Sequence, residues 1–173
     1  MKSGECALTK SEWEKLKASI DSLEDELLLK TAITTGIRRE DIVSIKISNI
    51  SIPDASLTFH EAKKNRDRSI PLNLEVVQLI KKYLKTIPDR EYLFGFGGRT
   101  AWNKLDRLCK QAGIKPRPFH ALRATCVKFC QTAGWTPSEV SKLTGDSLRV
   151  IEEHYATPSE AEMKEATEKK AIL

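Results

Sequence analysis

His120 and Arg123 stand three residues apart at the start of a predicted helix, so both side chains project from one face of it. That face, at a helix N-terminus, can hold an anion. Further on, Thr144-Gly145-Asp146-Ser147 breaks the helical pattern. A short amphipathic run from Leu148 to Glu153 then delivers Tyr155 just ahead of Thr157-Pro158. An anion site is thus followed by a phenol. Taken singly these features are common: a His-x-x-Arg pair arises by chance, and a tyrosine at a helix end usually packs at the edge of a core. Their meaning depends on the rest of the chain.

The elements that must position them can be read in order. Thr9-Lys10-Ser11-Glu12 is a capping box that opens a helix through Trp13, Leu16 and Ile20. Leu23, Leu27, Leu28 and Thr31 recur at helical spacing up to Ile33, and Gly36 ends that second helix. A helical turn at Ile42 and Val43 leads into Ile45, Ile47 and Ile50, whose alternation with polar residues predicts a strand. Ser56 to Phe59 and Arg68 to Leu72 read as two more strands, joined by the basic hairpin tip Lys63-Lys64-Asn65-Arg66-Asp67. Asn73 caps a helix through Val76, Val77, Ile80 and Leu84, and Phe94 to Gly98 reads as a flexible loop. Thr100 to Ala112 is a further helix, and Pro116 and Pro118 turn the chain into the helix of His120, which Gly134 closes. Thr136-Pro137-Ser138-Glu139 and Thr157-Pro158-Ser159-Glu160 repeat one cap pattern, the second opening a charged final helix and the tail Ala171-Ile172-Leu173.

The fold class expected is mainly α with a small antiparallel sheet, in one domain over residues 1–173, with 1–8 flexible. No run approaches the roughly 18 apolar residues of a membrane span, and the start MKSGECALTK lacks the apolar stretch of a secretory signal. An intracellular protein is expected, and its four cysteines, Cys6, Cys109, Cys126 and Cys130, are then free thiols. With no Cys-x-x-Cys pair and with His60, His120 and His154 scattered, no metal or other cofactor is expected. Charge is uneven: residues 60–118 carry 14 Lys or Arg against 6 Asp or Glu, while the remainder is slightly acidic, 15 against 18. A basic middle of this kind suits a phosphate-backbone contact surface.

The joint pattern resembles the catalytic domain of the tyrosine recombinases, the phage-type integrases, over residues 9–158. Thr35-Gly36-Ile37-Arg38, with Asp41 three further, resembles that family's first-arginine box. Lys63, eight residues before Pro71, stands where its hairpin lysine does, and His120-Ala121-Leu122-Arg123 matches its His-x-x-Arg box. Leu143-Thr144-Gly145-Asp146 is similar to its Leu-Gly-His region with an extra threonine, and Tyr155 lies nine residues past Asp146 at the family's interval to the nucleophile. The resemblance implies cleavage and rejoining of double-stranded DNA without metal or high-energy cofactor, with Tyr155, Arg38, Arg123, Lys63 and His120 as catalytic residues. It implies self-association into a synaptic tetramer on DNA, with the tail beyond residue 157 docking on a neighbouring protomer. A virus or mobile element in a prokaryotic host is the implied source.

The chemistry of these side chains fits that reaction on its own terms. A phenol with a pKa of about 10 is a neutral nucleophile at neutral pH, and a phosphodiester anion repels attack, so cations must be fixed around it. Arg38 and Arg123 offer guanidinium forks to two non-bridging oxygens. Lys63 on its hairpin can protonate a leaving 5′-oxygen, and His120 can bond a phosphate oxygen or take the phenolic proton. Lys64, Arg66 and Arg68 of the hairpin, with Lys115 and Arg117 before the His120 helix, are expected to contact backbone phosphates. Two departures from the family pattern stand out. Asp146 replaces the usual histidine or tryptophan donor and, when ionised, only accepts. It is therefore expected to cap the helix of Tyr155 and face away from the phosphate. The usual amino-terminal DNA-clamp domain is also not recognisable, which points to a catalytic fragment or a minimal enzyme. A type IB topoisomerase-like relaxing enzyme and a DNA-binding module with a decayed site are the alternatives.

Overall fold

The structure is a computed structural model that describes residues 6–154, 160–170 and 172. Helices α1 (Lys10–Ala18), α2 (Leu23–Thr35) and α3 (Arg39–Val43) precede a sheet of β1 (Ile50–Ser51), β2 (Ser56–Glu61) and β3 (Arg66–Pro71). Helices α4 (Leu74–Leu84), α5 (Gly98–Gln111), α6 (His120–Thr132), α7 (Pro137–Thr144), α8 (Leu148–His154) and α9 (Glu160–Lys169) follow. The sheet is antiparallel in the order β1-β2-β3, with Glu61 opposite Arg66 at the hairpin end. The mainly helical fold with a small antiparallel sheet is the expected one, and among the described residues no helix is long and apolar enough to cross a membrane.

The helix boundaries have local causes. The Thr9 capping box is formed in both directions, as is the one at Thr136, and Asn73 accepts from the amide of Glu75. Gly36 takes the left-handed conformation at φ +67° to end α2, which turns the chain so that Arg38 can stand just ahead of α3. Leu27, Leu28 and Leu29 are all fully buried because α2 packs against α4 on one side and α6 on another. A helix so enclosed has little need of a polar face. A smaller apolar cluster of Ala124, Val127, Val140 and Ile151 joins α6, α7 and α8.

Three expectations are corrected. The strand from Ile45 to Ile50 shrinks to Ile50–Ser51. Lys46 makes a single bridge to Tyr92, and Ile47–Asn49 coil into a 3-10 turn that brings the chain alongside β2. The stretch from Phe94 to Gly98 is not a loose loop: Phe94 is buried, its ring 5.5 Å from that of Phe96, and Gly98 already belongs to α5. Residue Leu8, expected to be flexible, is buried in the core, and its amide donates to Thr125 Oγ1 at 2.8 Å.

Candidate active site

Four of the five expected catalytic residues meet at one cleft of about 530 Å³, whose walls include Arg38, Lys63, His120 and Arg123 with Asp41, Trp102 and Phe119. They arrive from separate places in the chain. Arg38 immediately precedes α3 in an extended conformation, so its backbone carbonyl accepts the amides of Asp41 and Ile42 while its side chain turns into the cleft. Arg123 lies one turn inside α6 and is buried; its Nη1 donates to the carbonyl of Gly36 at 2.6 Å and its Nη2 to that of Thr144 at 2.9 Å. It thus ties together the ends of α2 and α7. Lys63 sits on an exposed 3-10 turn, Ala62–Lys64, whose first amide donates to the buried carboxylate of Asp41 at 3.2 Å. Asp41 thereby moors the lysine turn to α3. Tyr155 lies outside the described residues, but α8 (Leu148–His154) runs up to it.

Glu61 was not anticipated. Its side chain is almost fully buried, and it accepts from Arg38 Nη1 at 2.6 Å and Arg66 Nε at 2.8 Å, with Arg68 Nε at 3.7 Å. Burial alone would raise its pKa, but the bonds from Arg66 and Arg38 and the charge of Arg68 outweigh that and hold it below the ordinary carboxylate value. The signal for it was in the strand: Leu57, Phe59 and Glu61 alternate inward along β2, which puts an acid on the core side where it must be paired.

His120 opens α6 and is exposed to solvent as a residue. Loss of solvent around its ring in the cleft is the main cause that lowers its pKa; Arg123, Arg38 and Lys63 act in the same sense, and Asp146 opposes them. The lowered pKa favours the neutral imidazole, which has one donor and one acceptor nitrogen.

Asp146 is not a helix cap. Its Oδ2 lies 2.8 Å from Arg123 Nη2 and its Oδ1 3.3 Å from Arg38 Nη2, so the carboxylate bridges the two arginines. Ser147 takes the capping place instead, its Oγ accepting the amide of Val150 at 3.3 Å. The reason is electrostatic: a nearly buried carboxylate gains more from two guanidinium groups than from amides that a neighbouring hydroxyl can serve.

The residues expected on backbone phosphates divide into two groups. Lys64 and Arg66 lie at the exposed hairpin and donate to the carbonyl of Gly145, Arg66 at 3.1 Å. Lys115 is exposed. Arg68 and Arg117 are far less exposed than Arg66, and their side chains are engaged within the fold. Arg68 donates to the carbonyl of Leu143 at 2.6 Å and lies over the Phe59 ring. Arg117 Nη2 donates to both carboxylate oxygens of Glu12, at 2.8 and 3.0 Å. Charge in the sequence does not distinguish an arginine that fastens two elements from one that faces outward.

A helical domain carrying two arginines, a lysine and a histidine around one cleft is a domain built to hold an anion. The chain belongs to the phage integrase family, whose model matches residues 7–162. It is 28% identical over 179 residues to the tyrosine recombinase XerA of Pyrococcus furiosus, an alignment covering 96% of this chain and 62% of that protein. Its fold is that of tyrosine recombinase catalytic domains. The crystal structure of XerA recombinase superposes with a TM-score of 0.82 at 20% identity, over 96% of this chain and 65% of that one. The XerH site-specific recombinase, in a pre-cleavage complex with its difH substrate, gives 0.75 at 19% identity, over 96% and 55%. The chain therefore spans less than two thirds of the length of these relatives.

Proposed function

We propose that residues 1–173 are the catalytic domain of a site-specific DNA recombinase that cleaves and rejoins strands through a 3′-phosphotyrosyl intermediate. The observation that carries this reading is the convergence of Arg38, Lys63, His120 and Arg123 on one cleft. The phenolic oxygen of Tyr155 attacks phosphorus as the bond to the 5′-oxygen breaks. Neutral His120 takes the phenolic proton, Lys63 gives one to the leaving oxygen, and Arg38 and Arg123 stabilise the charge on the non-bridging oxygens. The phosphodiester energy is retained in the new ester, so a 5′-hydroxyl reverses the step and joining needs no ATP.

Double-stranded DNA is the partner, with Lys64, Arg66 and Lys115 on its backbone. Four protomers synapse on it, with residues beyond 157 docking between neighbours, inside the prokaryotic cell that harbours the virus or mobile element. The relatives' names favour recombination over relaxation. Nicked suicide duplexes test the reading: covalent adduct followed by strand exchange supports it, adduct without exchange assigns relaxation, and binding without adduct assigns a decayed module.

A further inference from the structure

The carboxylate of Asp146 has the shape and charge of the ligand the cleft is proposed to bind. Arg38 spends Nη1 on Glu61 and Arg123 spends Nη1 on the carbonyl of Gly36, while the Nη2 atoms of both arginines reach the two oxygens of Asp146, that of Arg123 also donating to the carbonyl of Thr144. Two oxygens on one anionic centre, shared between two guanidinium groups, are the same kind of acceptor as the non-bridging pair of a phosphodiester. The neighbouring charges make the occupancy consequential. Asp146 faces both Arg38 and Arg123, so a carboxylate already sits on the guanidinium pair before any phosphate arrives, while Glu61, which also holds Arg38, is shared with Arg66 and Arg68. Glu61 is enclosed beside the hairpin turn and is also held by Arg66, whereas Asp146 lies in the short connection between α7 and α8.

The fold of that connection does not depend on the carboxylate. The backbone of Asp146 is fixed independently: its carbonyl accepts from Ser141 Oγ at 2.6 Å, and its amide donates to Thr144 Oγ1 at 3.3 Å. Gly145 supplies the left-handed turn at φ +77°. The side chain can therefore rotate away while the loop stays in place.

We propose that Asp146 is a positioning residue that competes with DNA: an internal phosphate surrogate that holds Arg38 and Arg123 in a receiving geometry and is displaced when the scissile phosphate enters. This rests on the strand-transfer reading only for the identity of the displacing anion. Each recombination step then includes an exchange of one anion for another, and a free arginine pair is never left unpaired in a half-buried site.

Inorganic sulfate at constant ionic strength is the probe, followed by NMR of the arginine side chains and by thermal shift. Asp146→Asn is expected to bind sulfate about tenfold more tightly than the parent, and adding Arg38→Ala is expected to abolish the gain. Unchanged or weaker sulfate binding by a stably folded Asp146→Asn overturns the proposal. So does failure of that variant to fold, because a displaceable ligand cannot be essential to the fold. Asp146→His, the residue type usual in the family, serves as a second variant and is expected to show the same gain. The nicked-duplex assay on the same protein separates the two readings: a sulfate gain without any covalent adduct in the parent sinks strand transfer and leaves the competition intact.

Discussion

The lysine and the glutamate of the hairpin differ in burial: Lys63 is exposed, whereas Glu61 is enclosed and holds an arginine. Lys63 is exposed on a turn that Asp41 moors, so it can reach a 5′-oxygen held over the arginines. Lys63→Ala is expected to cleave ordinary DNA at least about a hundredfold more slowly, the range of general-acid contributions, and to recover on a 5′-bridging phosphorothioate, whose leaving sulfur needs no proton. Equal defects on the two substrates would limit Lys63 to binding. Glu61 holds Arg38 from below, and its depressed pKa carries a definite sign. Its contribution is complete above the unfolded value of 4.5 and is lost as pH falls through the lower folded value. Urea midpoints of the parent should therefore fall below pH 4.5 more steeply than those of Glu61→Gln. At neutral pH Gln is expected to cost about 2 kcal/mol, less than a fully buried pair because Arg66 opens to solvent. Parallel pH curves would show that Glu61 is not the group being titrated.

At the level of elements, the ends of helices position the chemistry. Gly36 ends α2 where Arg123 collects its carbonyl, and Gly145 ends α7 where the hairpin arginines arrive. A Cβ at Gly145 would sit 2.1 Å from Arg68 Nη1 and 3.0 Å from Arg66 Nη2, at φ +77°. Gly134, at φ +92°, has nothing within 4 Å of such an atom. Gly134→Ala thus isolates backbone strain, roughly 1–2 kcal/mol, and Gly145→Ala is expected to cost more and also to slow cleavage, because the arginines must shift. Similar losses in thermal stability, with cleavage unaffected in both, would remove the hairpin contact from the account. The boundaries of these elements were legible in the sequence because caps and glycines act locally: Thr9, Asn73, Thr136 and Gly36 do what their positions imply. The strand from Ile45 to Ile50 was misread because alternation reports burial and not backbone pairing, and β2 offers only Leu57 and Ser56 as partners to Ile50 and Ser51.

Across the whole molecule, the basic middle of the chain is not one uniform surface. Lys104 and Arg107 bind the buried Asp25 of α2, and Arg117 binds Glu12 of α1, so part of the positive charge fastens α5 and the segment before α6 to the first two helices. Exposed Lys115 is free of that task. Lys115→Ala is expected to reduce the slope of log affinity against log salt by about one while leaving stability unchanged. Arg117→Ala is expected to lower the melting temperature and leave the slope nearly intact. The reverse pattern would place Arg117, not Lys115, on the DNA. The same distinction explains how far the site was legible. That Arg38, Lys63, His120 and Arg123 share one cleft could be anticipated from their types and order in the chain. The roles of Glu61 and Asp146 could not, because pairing across 23 residues from Arg38 to Glu61, and across 108 from Arg38 to Asp146, is decided by the tertiary fold.

Whether Tyr155 is the nucleophile served by this cleft can be measured directly. The protein is incubated with a nicked suicide duplex, digested with protease, and the peptide spanning 150–164 is examined by mass spectrometry for a 3′-linked nucleotide on tyrosine. The parent is expected to carry the nucleotide on Tyr155, and Tyr155→Phe to bind the duplex with unchanged affinity and form no adduct. Adduct in the Phe variant, or a nucleotide on Tyr83 or Tyr92 in the parent, would contradict the account.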